Sequence, residues 1–414
     1  MVKSVFNYIL IIYSLCGFFL PLNQPKMAAT GIGLIIAAGV LLIKSVRNKN
    51  FPFLIFSLFI VTYCVVPLGY LFGRSAHIIE HITMSETQST VFMSSHCLLT
   101  FLSFFLACAK FDVPIEEKNR KKYISISNTD GYYICLFISI LCIAFGVSGD
   151  NIFETGGYAN GGNDRSSLYE YGIIFIALAL IYSRKSAQKN FVYLLCVIYI
   201  FKDLLYGGRV SSVMLILAVF IIQFLNSFSF KQILIAVAFG YLFFQFWGYY
   251  RSGISSVGFE MKEADGNAQF VVYASMRIHY MIDHGILNWQ NRLVSFVSFL
   301  LSSFVPSSYL PDLANLSLYK QSDYYSGGGG LVSTFFYCWA WIPGIIFIAI
   351  WVGKTINKFF HSTSIYWKFY SLLIIITSPR WFAYYPSQIF KYAVYGVISF
   401  FILNKVFIKG KKYV

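Results

Sequence analysis

Four side chains between residues 260 and 284 have the chemistry of general acids and bases. They are Glu260, His279, Asp283 and His284. A carboxylate or an imidazole takes the proton of an attacking hydroxyl when it lies within hydrogen-bonding distance. The sequence does not rank these four residues. Other acidic residues predicted on the same side of the membrane are Asp150, Asp164, Glu263 and Asp265.

Six arginines in the predicted external parts of the chain are candidate phosphate ligands. They are Arg165, Arg209, Arg251, Arg277, Arg292 and Arg380. A guanidinium group presents a rigid fork of donors that matches two phosphate oxygens at once, which a lysine ammonium cannot do. We therefore predict a site for a phosphorylated lipid or sugar. The alternative is that each arginine pairs with a loop carboxylate or a lipid headgroup.

Aromatic residues accompany these arginines and are predicted to contact sugar rings. They are Tyr273, Tyr280, Trp381 and Tyr384. The alternative role is membership of the aromatic belt at the membrane–water interface.

The motifs of metal and nucleotide sites are absent from the sequence. His77 and His81 are four residues apart, but no third ligand stands at a convincing spacing. No Walker A, Rossmann, G-x-S-x-G or H-E-x-x-H pattern occurs. All eight cysteines fall inside predicted membrane spans, which favours buried apolar residues over disulfides. We predict no metal and no cofactor.

The elements that position these residues are predicted to be membrane helices. The chain is 57% hydrophobic and 12% charged, and apolar runs of about 20 residues are the length that crosses a bilayer. We predict an all-α polytopic membrane protein with about twelve spans. They lie near 5–21, 27–43, 52–73, 89–109, 131–147, 171–183, 191–206, 210–228, 232–250, 331–352, 366–378 and 391–408.

The net charge of +15 is explained by membrane orientation and not by nucleic acid. Basic clusters occur in every second loop, which places both termini in the cytoplasm. On that topology the cytoplasmic side carries 17 lysines and 3 arginines, and the external side 5 lysines and 7 arginines. Bulk charge alone would not select arginine on one side, so the bias supports a phosphate site there.

The sequence predicts one membrane domain, residues 1–414, with external loops at 148–171 and 251–330. Within the larger loop, 268–286 has the periodicity of an amphipathic helix with Arg277 and His284 on one face. We expect this helix to lie at the membrane surface, its polar face above a cavity. The apolar run 293–305 is too short to cross, which indicates a re-entrant or interfacial helix.

The chain resembles the bacterial O-antigen polymerase (Wzy) family. The resemblance covers the arrangement of about twelve spans with a large loop before the last three. It also covers three local stretches: Asp164-Arg165-Ser-Ser167, Tyr206-Gly-Gly-Arg-Val-Ser-Ser212, and Gly327–Gly330 followed by Trp341-Ile-Pro-Gly344.

This resemblance implies a glycosyltransferase at the periplasmic face of the bacterial inner membrane. It would join undecaprenyl-diphosphate-linked repeat units, with undecaprenyl diphosphate as leaving group. The arginines would hold the diphosphates, and one of the four acid–base residues would activate the acceptor hydroxyl. Membrane lipids and a chain-length regulator protein are further candidate partners.

Two other functions fit the same architecture. An O-antigen ligase would use the same donor and transfer the glycan to lipid A–core. A flippase or transporter of lipid-linked oligosaccharides also has about twelve spans, although it would carry more charge inside the bundle and shorter loops. A purely structural membrane scaffold leaves the arginine bias unexplained.

Overall fold

The computed structural model describes residues 2–72, 83–114, 124, 126–146, 166–205, 208–225, 229–251, 266–305, 309–316, 319–320 and 329–407. Every regular element within these ranges is a helix. The predicted all-α class is therefore confirmed for this part of the chain. Arg165 and Glu260 lie outside the described residues.

The chain divides into two compact units. Unit 1 contains Met1–Asp112, Asp265–Asn357 and Ser378–Lys391. Unit 2 contains Val113–Ala264, Lys358–Thr377 and Tyr392–Val414. The predicted loop 251–330 is thus shared between the two units. That the whole chain is one membrane domain stays a prediction.

The helices of unit 1 include four near the N-terminus: α1 (Val2–Cys16), α2 (Gln24–Arg47), α3 (Phe51–Leu71) and α4 (Met84–Cys108). They are followed by α10 (Gly266–Asp283), α11 (Trp289–Leu301) and the short α14 (Ser378–Trp381). Helix α4 packs against α1, α2, α3 and α10, so it lies at the centre of this unit.

The helices of unit 2 are α5 (Thr129–Phe145), α6 (Ser167–Tyr182), α7 (Ser186–Leu205), α8 (Val210–Val219), α9 (Phe230–Arg251) and α13 (Ile365–Ile376). A π-helical turn, Phe220–Phe224, extends α8. Two helices, α12 (Val332–His361) and α15 (Gln388–Phe407), begin in unit 1 and end in unit 2.

Among the described residues, five helices are long and apolar enough to cross a membrane: Gln24–Arg47, Phe51–Leu71, Ser85–Cys108, Val332–His361 and Gln388–Val406. Six shorter apolar helices accompany them. Each predicted span overlaps a described helix. The membrane-embedded character is therefore supported, and the count of twelve spans stays a prediction.

Local sequence determines where these helices begin. Asn23 and Asn50 each accept a backbone N–H at the start of α2 and α3, and a proline follows in the first turn of each helix. Helix α4 begins with a capping box, in which Thr83 and Glu86 each accept a backbone hydrogen bond from the other. These caps satisfy donors that no helical partner can reach.

Helix α10 lies deeper in the protein than its periodicity predicts. It packs against α3 and α4, and every side chain from Val271 to His279 is buried except that of Tyr273, which is half-buried. The expectation of a surface helix with one whole polar face over a cavity is therefore wrong for this stretch. Among the described side chains of this helix, the polar face is fully exposed at the C-terminal end, beyond Tyr280.

Helix α12 is broken near its first third. Ala340 and Trp341 have non-helical dihedral angles, with φ 57° and ψ −144° at Trp341. Pro343 lacks the amide hydrogen that would continue the helix. At the break, the backbone of Gly344 packs closely against that of Phe336. A Cβ added at Gly344 would lie 2.2 Å from the Phe336 carbonyl oxygen.

This contact predicts that Gly344→Ala destabilises the protein, because the Cβ meets rigid backbone and not a flexible side chain. We expect a loss of about 1–3 kcal/mol, as for other overpacked sites, measured as a lower unfolding midpoint in detergent. Gly39→Ala is the matched control, since nothing lies within 4 Å of its added Cβ. Equal unfolding midpoints for the two variants would contradict the close contact between Gly344 and Phe336.

Candidate functional site

Unit 1 contains most of the predicted site residues that the structure describes. Helix α10 carries Tyr273, Arg277, His279, Tyr280 and Asp283, and His284 follows its last turn. The helix ends at Asp283, and Gly285 just beyond it has a φ of +71°, which is readily adopted only by glycine. The reversal lets Leu287 donate its amide to the Met281 carbonyl and enter the core. This turn leaves Asp283 and His284 exposed.

Arg277 is buried, with 1% of its surface exposed. Its Nη2 donates a hydrogen bond to the Leu316 carbonyl oxygen at 3.0 Å. Burial lowers the pKa of Arg277 to about 10, so the group stays cationic near neutral pH. In this conformation the guanidinium ties α10 to the segment 309–316, and a phosphate would have to replace that contact.

Arg292 binds backbone carbonyls next to the break in α12. Its Nε donates to the Cys338 carbonyl oxygen and its Nη2 to that of Tyr337, the latter at 3.2 Å. In a continuous helix these two carbonyls would accept the amides of Trp341 and Ile342. The guanidinium carbon also lies 4.4 Å from the centre of the Trp341 ring. Arg292 therefore supplies donors to the two carbonyls that directly precede the break.

His279 is enclosed by protein. Its Nε2 lies 3.8 Å from the Cys97 sulfur, and its ring centre lies 5.2 Å from that of Tyr337. Burial, with a smaller contribution from the charge of Arg292, lowers the pKa of His279 to about 3. A neutral imidazole with 1% of its surface exposed cannot reach a substrate hydroxyl without rearrangement. The predicted role of His279 in proton transfer stays a prediction.

His284 forms a pair with Glu86 at the surface of unit 1. Its Nε2 lies 2.9 Å from Glu86 Oε1, and its Nδ1 lies 3.0 Å from the Tyr280 carbonyl oxygen. The ring stacks on Tyr280 with centres 3.9 Å apart. Both ring nitrogens face oxygen acceptors, and only a doubly protonated ring donates to both.

Glu86 is the residue of this site that the sequence analysis missed. The pattern Thr83-x-x-Glu86 before an apolar run is a recognisable capping box. It indicates where α4 begins but says nothing about a contact 198 positions along the chain. Glu86 uses Oε2 for the cap and Oε1 for His284.

Asp283 is exposed beside His284. Partial desolvation raises the pKa of its carboxyl group, and the neighbouring His284 opposes that rise. A carboxylate with a raised pKa takes a proton more readily near neutral pH than an ordinary aspartate. Asp283 and His284 are thus the two predicted acid–base residues that the structure describes as exposed.

The predicted site residues that follow α13 differ in how far they are buried. Arg380 is half-buried, and its guanidinium carbon lies 5.8 Å from the centre of the Tyr384 ring. Trp381 is buried and stacks on Phe56 with centres 5.6 Å apart. In this conformation Trp381 offers no surface to a sugar, whereas Tyr384 is half-buried.

Unit 2 contains Arg209, half-buried at the N-cap of α8, and Arg251, the last residue of α9. Asp203, near the end of α7, is buried. Its Oδ2 accepts from the amide of Ser212 at 3.0 Å and from the hydroxyl of the same residue at 2.6 Å. Asp203 thus caps α8 from the preceding helix. Whether Arg165 and Arg209 share a diphosphate site with Arg277 stays a prediction.

No group of three His, Cys, Asp or Glu residues that could hold a metal ion occurs in the part of the chain that the structure describes. Comparison with known proteins gave no match to a family model, a curated protein or a solved structure.

The contacts of Arg292 predict that Arg292→Gln lowers the free energy of unfolding by about 1.5–3 kcal/mol, since buried carbonyls lose charged donors. Arg292→Lys should fall between this variant and the wild type, because one ammonium cannot reproduce the planar fork. Chemical denaturation in detergent measures both.

Gln290→Ala, an exposed change on the same helix, serves as the control and should be neutral. Wild-type stability in Arg292→Gln would mean that the break is held by other contacts.

Proposed function

We propose that this protein is an O-antigen polymerase of the bacterial inner membrane. It is a glycosyltransferase that joins undecaprenyl-diphosphate-linked repeat units at the periplasmic face, with both termini in the cytoplasm. The proposal is supported by the resemblance of span order and loop motifs, by the apolar helices, and by the arginine bias of the predicted external side.

The observation that carries the proposed chemistry is the grouping of Asp283 with the His284–Glu86 pair at the exposed end of α10. A carboxylate that accepts a proton beside an imidazole cation fits a reaction in which an alcohol attacks and a diphosphate leaves.

We assign the proton transfer as follows. The acceptor hydroxyl of one repeat unit attacks the anomeric carbon of the donor glycan, and its proton passes to Asp283. The bond between that carbon and the diphosphate oxygen breaks, so undecaprenyl diphosphate leaves with the electron pair. The imidazolium of His284, oriented by Glu86, and the arginines stabilise the charge that develops on the diphosphate.

The first test is a deletion strain of the host. Loss of a polymerase leaves a single repeat unit on lipid A–core, whereas loss of a ligase leaves none. Loss of a flippase would remove lipid-linked repeat units from the periplasmic face. We expect the single-unit pattern on a gel of extracted lipopolysaccharide, restored to a full ladder by the wild-type chain. Either other pattern rejects the polymerase.

The second test complements that strain with site variants at matched expression. Asp283→Asn should slow polymerisation by roughly 10²–10⁴-fold, the usual effect of removing a general base, and His284→Ala should shorten the chains. Asp312→Asn is the control, because Asp312 is an exposed carboxylate outside the proposed site. A full ladder from Asp283→Asn would exclude Asp283 as the proton acceptor.

The arginine assignment is tested by Arg→Lys substitutions read in the same strain. Arg209 and Arg380 are the most informative described positions, since both are half-buried and a lysine there costs little packing. Arg277 and Arg292 also bind backbone carbonyls, so their variants need a parallel stability measurement. Full-length polymer from all six substitutions would refute bidentate diphosphate recognition.

A further inference from the structure

Helix α11 is arranged inside out compared with a helix of a water-soluble protein. Beyond its first turn, where Gln290 is exposed, its polar residues Arg292, Ser295 and Ser298 are buried. Its apolar residues are exposed, with relative exposures between 43% and 71% along the helix and just after it. These exposed residues are Trp289, Leu293, Val294, Val297, Leu300, Leu301 and Phe304.

The exposed residues form one continuous stripe. Positions 293, 297, 300, 301 and 304 recur at the three- and four-residue spacing of a single helix face. All of them are leucine, valine or phenylalanine. A stripe of this size without a charge is unusual on a surface that faces water.

The inner face of α11 packs against α12. Phe299 packs on Trp339 with ring centres 4.2 Å apart, the Trp339 Nε1 donates to Ser295 Oγ at 2.9 Å, and Arg292 binds the carbonyls at the break. Rotating the helix to hide its apolar stripe would break these contacts. The outward orientation is therefore built into the packing.

The surroundings of α11 indicate what covers the stripe. Helix α12 is one of the apolar helices long enough to cross a membrane, and it exposes Trp341 and Phe347. The stripe thus belongs to a unit that exposes apolar residues on other helices too, as on α2, where Ile32 and Ile35 are exposed. Such surfaces are solvated by hydrocarbon in a membrane protein.

We propose that the exposed stripe of α11 is embedded in the membrane and contacts lipid acyl chains. The 13 residues of the helix extend about 20 Å, less than the roughly 30 Å of hydrocarbon. The helix therefore enters the bilayer without crossing it, and Trp289 at its start lies at the interface, where tryptophan is favoured. This inference stands independently of the proposed function.

Spin labels test the proposal in vesicles of phosphatidylethanolamine and phosphatidylglycerol. Single cysteines replace Leu293, Val297 or Leu301 in a full-length chain whose exposed Cys16 and half-exposed Cys108 are changed to alanine. Collisions with dissolved oxygen, which concentrates in hydrocarbon, are compared with those of a water-soluble nickel chelate. Ile35→Cys is the lipid-facing control and Asp312→Cys the water-facing control. The protein with Cys16 and Cys108 changed to alanine, without an added cysteine, measures residual labelling of the buried cysteines.

The expected ratio of oxygen to nickel accessibility is above one at all three α11 positions and at Ile35, and below one at Asp312. A ratio below one at the three positions would make α11 a water-facing lid and overturn the proposal. Low accessibility to both reagents, together with spectral broadening between labels on separate chains, would show that a second copy of the protein covers the stripe. That result would also overturn the proposal. Unchanged unfolding midpoints of the labelled proteins confirm that each variant is folded.

Discussion

The hydrogen-bonding requirement of a broken helix organises much of unit 1. A backbone carbonyl buried away from water needs a donor, and the carbonyls of Tyr337 and Cys338 directly precede the break in α12. Arg292 supplies donors to both. To do so, α11 must lie along the first part of α12 with its charged residue inward. The orientation of α11, the position of Trp341 and the packing of Phe299 all follow from this one interaction.

The same requirement explains how arginines are used in this unit. Arg277 and Arg292 were selected from the sequence because guanidinium suits phosphate, and the structure shows both binding carbonyl oxygens of irregular segments. A fork of donors fits a pair of carbonyls as well as a pair of phosphate oxygens. Arginine type and predicted location therefore do not separate an anion site from a contact with backbone carbonyls. Only the contacts distinguish the two uses.

Helix positions were predictable from the sequence because apolar runs, caps and prolines act locally. The predicted helix at 268–286 was found as Gly266–Asp283, but its burial was not foreseen, since the 3.6-residue period cannot say that α3 and α4 cover its polar face too. The pairing of His284 with Glu86 and the burial of Trp381 on Phe56 were likewise beyond prediction. Each depends on residues brought together from distant parts of the chain, and no local pattern records that.

The capping box of α4 has a consequence for how the surface pair can move. Glu86 holds the first turn of the helix through Oε2 and the imidazole of His284 through Oε1. Because the two oxygens make separate contacts, the imidazole can swing away while the start of the helix stays intact. Motion of the His284 side chain therefore does not fray the first turn of α4, and Glu86 stays in place to bind the imidazole again.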